Sequence, residues 1–360
     1  MKPRAALHVF STLGRGGPQV RAMQLCAQLG GEFKHMFVAL DGNFDALELL
    51  PRSIAHEVLP VARLPMLASI RRFAKLLRER QPDLLLTYNW GAIEAVAAAR
   101  WLGMRAFVHH EDGFGAAEQV RRLRRRNWLR RALLRSAAAV IVPSQQLLAI
   151  AQREWRLTDA VRCLPNGVDL TRFAPASAPP AAARGFTIGT VGGLRGEKDH
   201  ATLLRAVALM KQPARVLLIG DGPMRPQLAA LARELQIEER VTLAGACSDP
   251  APLYRTMDAF VLSSRTEQMP LSLLEAMASG LPCASTEVGD VRAMLPQSCG
   301  GAIVPPGAAA QLGAALDELA TDAARRSREG GLNRAHCCAH YELTVCLDRF
   351  LAIYRQAASP

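Results

Sequence analysis

The sequence predicts an α/β chain of two doubly wound domains. Three observations predict it. Short apolar runs alternate with helical stretches through the first half; a Pro- and Ala-rich stretch, FAPASAPPAAAR, interrupts the pattern from Phe173; and the alternation then restarts. Alternation of this kind implies a parallel sheet covered by helices on both faces. At 360 residues the chain is long enough for two domains of ordinary size. The expected division is an N-terminal domain over 1–172, a linker over 173–184, a C-terminal domain over 185–340, and a terminal helix over 341–360 that packs back toward the N-terminal domain.

In order, the first half reads as strand Ala6–Phe10, helix Gln19–Leu29, strand Met36–Leu40, helix Ile70–Arg80, strand Asp83–Tyr88, helix Ala92–Leu102, strand Ala106–His109, strand Ala138–Val142 and helix Gln145–Arg153. The second half reads as strand Phe186–Val191, helix His200–Met210, strand Val216–Ile219, helix Met224–Leu235, and strands Val241–Leu243, Ala259–Ser263 and Pro282–Ser285. Helices are expected over Pro270–Ser279 and Ala309–Leu319, with Glu342–Tyr354 closing the chain. Two such units form a cleft, and ligands of such sheets sit beyond the carboxyl ends of the strands.

Composition bounds the function. Half of the residues are apolar, so each half can bury a core. The net charge of +12 is one-sided: residues 1–172 hold 26 Lys and Arg against 14 Asp and Glu, whereas 173–360 hold 18 of each. An excess confined to one half suggests that this half faces something anionic. The eight cysteines form no CxxC pair, and no Cys/His spacing suits zinc, so free thiols in a reducing compartment are expected. The apolar part of MKPRAALHVF is too short for a secretory signal, and no run reaches the roughly 18 apolar residues of a membrane span.

Five segments carry candidate chemistry. Gly14-Arg15-Gly16-Gly17 follows the first strand and precedes a helix, where glycines and a helix start let backbone amides approach a phosphate. Its spacing is not GxGxxG, and an ordinary strand-to-helix turn explains it as well. Gly192-Gly193-Leu194-Arg195-Gly196-Glu197-Lys198-Asp199 occupies the equivalent place in the second half, with Arg195 and Lys198 able to grip a diphosphate. Glu267 and Glu275 lie on a loop and the helix after it; carboxylates accept hydrogen bonds from sugar hydroxyls, and the backbone at Met269, Pro270 and Leu271 offers a helix start to a phosphate. His109-His110-Glu111-Asp112-Gly113 ends a strand, although adjacent histidines on an extended chain point to opposite faces, which disfavours a metal site. Finally, VRRLRRRNWLRRALLR holds eight arginines from Arg121 to Arg135 beside Trp128 and several leucines. A basic amphipathic helix suits an anionic membrane surface. A solvated basic face is the alternative, and no nucleic-acid module supports a nucleic-acid partner.

Taken together, SSRTEQMPLSLLEAMASGLP, VIVPSQQL, LPNGVDLTRF, TVGGLRGEKDHATLLRA, LLIGDGP, VTLAGACSDPAPLY, EVGDVRAML and GAIVPPG stand in an order that resembles glycosyltransferase family four, the retaining GT-B enzymes. The resemblance spans nearly the whole chain and implies two Rossmann-like domains. It implies that Gly16 and Gly17 approach a donor or acceptor phosphate and that Arg195 and Lys198 neutralise the departing diphosphate. It places Glu267 on the hydroxyls of the transferred sugar, Glu275 on the ribose and the loop around Cys247 on the base. One of His109 and His110 sits beside the donor sugar, with His110 preferred. Gln268 and Met269 stand where the family often has glycine and an aromatic, and Pro18 and Gln19 where it has a small residue and an acid.

The expected activity is therefore retaining, metal-independent transfer from a UDP- or GDP-linked sugar to a glycan or polyprenyl-linked acceptor, in cell-envelope or exopolysaccharide synthesis. No cofactor is expected beyond the donor itself, and the expected place is the cytoplasm, at the inner face of the membrane. The alternatives are another GT-B enzyme, such as a nucleotide-sugar epimerase or a phosphorylase, and a non-catalytic membrane-docking protein.

Overall fold

The computed structural model describes residues 3–114, 118, 122–176, 185–299 and 302–359. Most of the expected linker lies outside them, as do Val120 and Arg121 of the basic segment and Gly301 at the head of GAIVPPG. The chain divides into two compact units, Met1–Asn166 with Val345–Pro360, and Gly167–Thr344. The division falls ahead of residue 172 because Val168 is already tied into the second unit. Its amide donates to Tyr341 O at 2.8 Å and its carbonyl accepts from Leu343 N at 3.1 Å.

The first unit holds strands β1 (Arg4–Phe10), β2 (Phe33–Ala39), β3 (His56–Val58), β4 (Leu84–Tyr88), β5 (Phe107–His110), β6 (Ala139–Val142) and β7 (Val161–Cys163). They form one parallel sheet in the order β3-β2-β1-β4-β5-β6-β7. The edge strands β3 and β7 are three residues long and mix polar with apolar side chains, so no apolar run marks them. Helices α1 (Gly17–Leu29), α2 (Met66–Arg80), α3 (Ile93–Trp101), α4 (Arg124–Leu134) and α5 (Gln145–Arg153) complete the unit. Ser144 caps α5 by accepting from Leu147 N at 3.1 Å.

The two faces of this sheet differ chemically. Leu7, Val9, Met36, Val38 and Leu85 point into an aliphatic core shared with Phe73 and Leu77 of α2 and Val96 of α3. Burying each such side chain contributes about 1.5–3 kcal/mol. The alternate positions carry rings: His8 stacks on Phe37 and Tyr88, and His110 stacks on Tyr88 and on Phe350 of the terminal helix. Strand periodicity alone separates the two sets.

In the second unit, strands β8 (Phe186–Val191), β9 (Ala214–Ile219), β10 (Val241–Gly245), β11 (Ala259–Leu262), β12 (Cys283–Thr286) and β13 (Ile303–Val304) pair in parallel in the order β10-β9-β8-β11-β12-β13. Its helices are α6 (His200–Leu209), α7 (Arg225–Glu234), α8 (Ala251–Tyr254), α9 (Leu271–Ala278), α10 (Val291–Met294), α11 (Ala309–Thr321) and α12 (Ala323–His340), and α13 (Leu343–Ala357) leads into the first unit. Helix α12 lies outside the helices expected from the sequence, and it carries Gly330-Gly331, a pair of poor helix formers. The structure gives a reason for the glycine: a Cβ on Gly330 would sit 2.0 Å from Gly280 O, so only glycine lets α12 press against the turn after α9. Among the described residues no helix is long and apolar enough to cross a membrane.

Candidate active site

The second unit builds its candidate site from the loops that follow β8 and β11. After β8 the chain turns through Gly192, whose amide donates to Ile219 O at 2.9 Å, while Leu194 N donates to Asp221 O at 2.9 Å. The turn after β9 presses onto it: a Cβ at Gly220, where φ is +142°, would lie 2.0 Å from Gly192 O. Glycine is required there on both steric and conformational grounds. The packing fixes the segment that carries Arg195 and Lys198.

Lys198 and Glu267 meet directly. Lys198 Nζ donates to Glu267 Oε1 at 2.6 Å, and Ser264 Oγ donates to the same oxygen at 2.8 Å. Both side chains are mostly shielded, at 19% and 13% exposure, so the pair is screened less than a surface ion pair. Neighbouring contacts hold this arrangement. Ser263 Oγ donates to Lys198 O at 3.1 Å, Arg265 N donates to Glu197 O at 2.8 Å, and Asp199 accepts from Thr202 Oγ1 and Arg265 Nε. Arg195 turns elsewhere: it pairs with Glu197 at 3.0 Å, is 56% exposed, and lies over Gly193. The two cations of the segment thus have different partners. A shallow depression of about 280 Å³ nearby is lined by Arg195, Asp199, His200, Arg205 and Arg265, but by neither Glu267 nor Glu275.

Glu275 lies on α9 and is partly buried. Tyr254 Oη lies 2.7 Å from Glu275 Oε2 and 3.1 Å from Ser272 O. Burial raises the carboxyl above the usual range, and the Tyr254 hydroxyl and the Arg172 charge oppose the rise. The start of α9 has no side-chain cap; Pro270 is its N-cap residue, so the first helical residue is Leu271. Leu273 N and Leu274 N donate to Pro270 O at 3.2 and 3.4 Å, so the amides of Leu271 and Ser272 precede the first helical hydrogen bond. Cys247 is exposed, and its thiol donates to Asp249 O at 3.2 Å, while Arg172 holds the Asp249 carboxylate at 2.9 Å.

In the first unit, Gly16 is the N-cap of α1 and Gly17 its first residue. Gln19 folds back over the turn, its Nε2 donating to Thr12 O at 3.1 Å and its Oε1 lying 2.7 Å from where a Gly16 Cβ would stand. His109 and His110 are both fully buried and point to opposite faces of the sheet. His110 Nδ1 faces Thr87 O at 3.3 Å, which only accepts, so Nε2 takes the proton of Tyr354 Oη at 2.8 Å. Burial and the Arg21 charge hold this imidazole well below its ordinary pKa. His109 instead bonds Thr87 Oγ1 at 2.8 Å and has Nε2 3.6 Å from Glu111. Glu111 and Glu118 both bind Arg130, which is 0% exposed and stands against Trp90, Phe114 and Trp155.

Arg130 corrects one expectation. The described part of the basic segment is not a uniformly solvated face: Arg130 is internal, whereas Leu123 and Trp128 are exposed beside Arg122, Arg124 and Arg125.

Comparison with known proteins decides the family. Residues 15–172 match the family described as Glycosyltransferase Family 4, and residues 185–322 match Glycosyl transferases group 1. The chain belongs to the family 4, group 1 glycosyltransferases. It is 29% identical over 310 residues to the putative glycosyltransferase EpsF of Bacillus subtilis, covering 78% of each chain. It is 28% identical over 229 residues to an Escherichia coli UDP-Gal:alpha-D-GlcNAc-diphosphoundecaprenol alpha-1,3-galactosyltransferase, spanning 58% of this chain and 59% of that one. Sucrose-phosphate synthase of Thermosynechococcus elongatus superposes with a TM-score of 0.82 at 23% identity, covering 99% of this chain and 100% of that one. Anabaena HepE in complex with UDP gives 0.82 at 17% identity, covering 98% and 100%. These likenesses establish the two-domain, Rossmann-like GT-B fold.

For a family 4 glycosyltransferase, the structure adds neighbours that the sequence reading did not name. Tyr254, Ser264 and Arg265, the last paired with Asp199, surround the named residues. Tyr254 ends VTLAGACSDPAPLY, so its motif was visible but its partner was not.

Proposed function

We propose that this glycosyltransferase is a retaining, metal-independent enzyme that moves a sugar from a UDP- or GDP-sugar to a lipid-linked or glycan acceptor in cell-envelope or exopolysaccharide synthesis. The observation that carries the proposal is the Lys198–Glu267–Ser264 cluster. Breaking a sugar–diphosphate bond builds negative charge on the leaving group and positive character at the anomeric carbon. A partly shielded ammonium already fixed in place opposes that charge without reorganising, and such preorganised groups carry much of a catalytic effect. Glu267, held by Lys198 and Ser264, accepts hydrogen bonds from hydroxyls of the transferred sugar. Glu275 accepts from the ribose hydroxyls, and the uncapped start of α9 receives a phosphate oxygen. Arg195, exposed and held by Glu197, swings from that partner to the diphosphate.

With charge neutralised by side chains, no metal is required at the donor. In the retaining mode the acceptor hydroxyl enters on the face that the diphosphate leaves, and the departing phosphate takes its proton. Relatives whose names carry diphosphoundecaprenol acceptors support a lipid-linked acceptor, as does the charge excess of the first half. Exposed Leu123 and Trp128 among Arg122, Arg124 and Arg125 suit an anionic membrane beside that acceptor.

A panel of UDP- and GDP-sugars, scored for nucleoside diphosphate release with and without polyprenyl-diphosphate glycans, tests the proposal. One donor should be consumed only with acceptor, equally in EDTA, and the product should keep the donor's anomeric configuration. Donor consumption without acceptor to give an epimer, or transfer abolished by EDTA, would contradict it.

A further inference from the structure

Beneath the ring-bearing face of the first sheet lies a cluster that sugar transfer does not use. His8 on β1, His35 on β2 and Cys26 on α1 are all buried, each at most 1% exposed. Their ligand atoms lie within 4.8 Å of one another. His8 Nε2 is 3.0 Å from His35 Nδ1 and 3.7 Å from Cys26 Sγ. The three residues are separated by 18 and 9 positions, so no short-spaced motif announces them. Register brings the histidines together: Ala6 pairs with His35 and His8 with Phe37, which sets both rings on one face, and α1 lays Cys26 over them.

Two of these edges are close to the lengths a shared ion requires. With metal–nitrogen bonds of about 2.0–2.1 Å and a metal–sulfur bond of about 2.3 Å, ligand atoms on one ion stand roughly 3.3–3.8 Å apart. The 3.0 and 3.7 Å edges reach that geometry with side-chain shifts of a few tenths of an ångström, and the His35–Cys26 edge, within 4.8 Å, closes by up to about 1 Å. The proton arrangement of the cluster is also incomplete. His35 Nε2 is buried with no hydrogen-bond partner among the described residues. Both Cys26 and His35 reach for the single Nε2 of His8. Were His35 to carry its proton on Nε2, its Nδ1 lone pair would be released toward Cys26 and His8.

We propose that His8, His35 and Cys26 form a buried site for a monovalent, thiophilic d10 cation, Cu+. Soft thiolate with imidazole selects copper(I) or zinc among common ions. Charge and coordination number decide between them. One thiolate and two neutral imidazoles balance a single positive charge, and an uncompensated charge in this apolar setting is disfavoured. Zinc would leave a net positive charge in the core and lacks the fourth ligand that its structural sites contain. Binding exchanges the Cys26 S–H bond for a S–Cu bond and releases one proton; no electron is transferred. Because the ligands are fully enclosed, loading accompanies folding.

The full chain, reduced, stripped with chelator and refolded from urea with Cu+ under anaerobic conditions, tests this. It should retain one equivalent of copper against bathocuproine disulfonate. Cys26→Ala and His35→Phe should each lower copper retention about a hundredfold or more, since even outer-shell changes at metal sites reach that scale. X-ray absorption at the copper edge of the wild type should show one sulfur and two nitrogen neighbours, a readout that stands even if a variant fails to fold. Loss of copper to the competitor, retention unchanged in both variants, or a sulfur-only shell from other thiols would overturn the proposal. So would refolding with Zn2+ or Co2+ that fills the same three ligands in preference to Cu+, seen as displacement of copper or cobalt d–d bands.

Discussion

Glu267 Oε1 receives two hydrogen bonds at once, from the Lys198 ammonium at 2.6 Å and from the Ser264 hydroxyl at 2.8 Å. Sixty-nine positions separate the lysine from the glutamate, and the pairing exists because β8 and β11 are neighbours in the sheet. The loops that follow adjacent parallel strands open at the same end, so side chains from each are brought within reach of each other.

Lys198→Met should lower turnover about a hundredfold or more, the scale of removing one preorganised charge-stabilising group, or about 2.7–4 kcal/mol. Circular dichroism and urea midpoint should change little. Steady-state rates against the accepted donor check this, and a variant within threefold of wild type would remove Lys198 from the chemistry.

Tyr254→Phe should weaken nucleotide binding severalfold and shift its pH dependence. Burial already raises the Glu275 carboxyl, and the Tyr254 hydroxyl opposes that rise. Protonation removes an acceptor, so affinity falls as pH drops toward the raised value. Loss of the hydroxyl raises that value further and moves the acid limb to higher pH. Calorimetric titration of UDP and GDP between pH 5 and 7.5 reads both effects.

Arg130→Met should destabilise the first unit by about 3–5 kcal/mol, because it leaves Glu111 buried without its cation and Glu118 with Arg126 alone of its two arginines. Glu118→Gln in the same chain should recover part of the loss. Urea unfolding followed by the fluorescence of nearby Trp90 and Trp155 reports it.

His200 makes the second unit sensitive to acid. Burial, with the Lys198 charge adding to it, lowers its imidazole to about 4 from the ordinary 6.5. The unfolded chain then binds a proton that the folded chain refuses, so the contribution is intact above 6.5 and is lost as pH falls from there toward 4. The full shift corresponds to up to about 3 kcal/mol. His200→Phe should flatten the decline of urea midpoint between pH 7 and 4.5, and an unchanged slope would assign it to other groups.

Much of the fold was legible because apolar strand runs and helix periodicity are local signals. Strand Phe186–Val191 and helix Gln145–Arg153 carry the same bounds in sequence and structure. What escaped depends on partners. Strands β3 and β7 are short and polar, and α12 tolerates Gly330 only because the chain at Gly280 approaches it. In the site, the residue types at Lys198, Glu267 and Glu275 were readable, as was the opposed orientation of His109 and His110. Their burial was not, nor were the Glu197 partner of Arg195, the Tyr254 contact to Glu275 or the internal place of Arg130, since each is set by chain segments remote in sequence.

The most direct test of the central claim is donor-dependent product release. Wild-type chain and Glu267→Gln are incubated with the donor and acceptor selected from the nucleotide-sugar panel, and released nucleoside diphosphate is quantified. The wild type should give stoichiometric glycosylated acceptor and nucleoside diphosphate, with a loss of about a hundredfold in the variant and nucleotide affinity retained. Equal rates from both chains would contradict it.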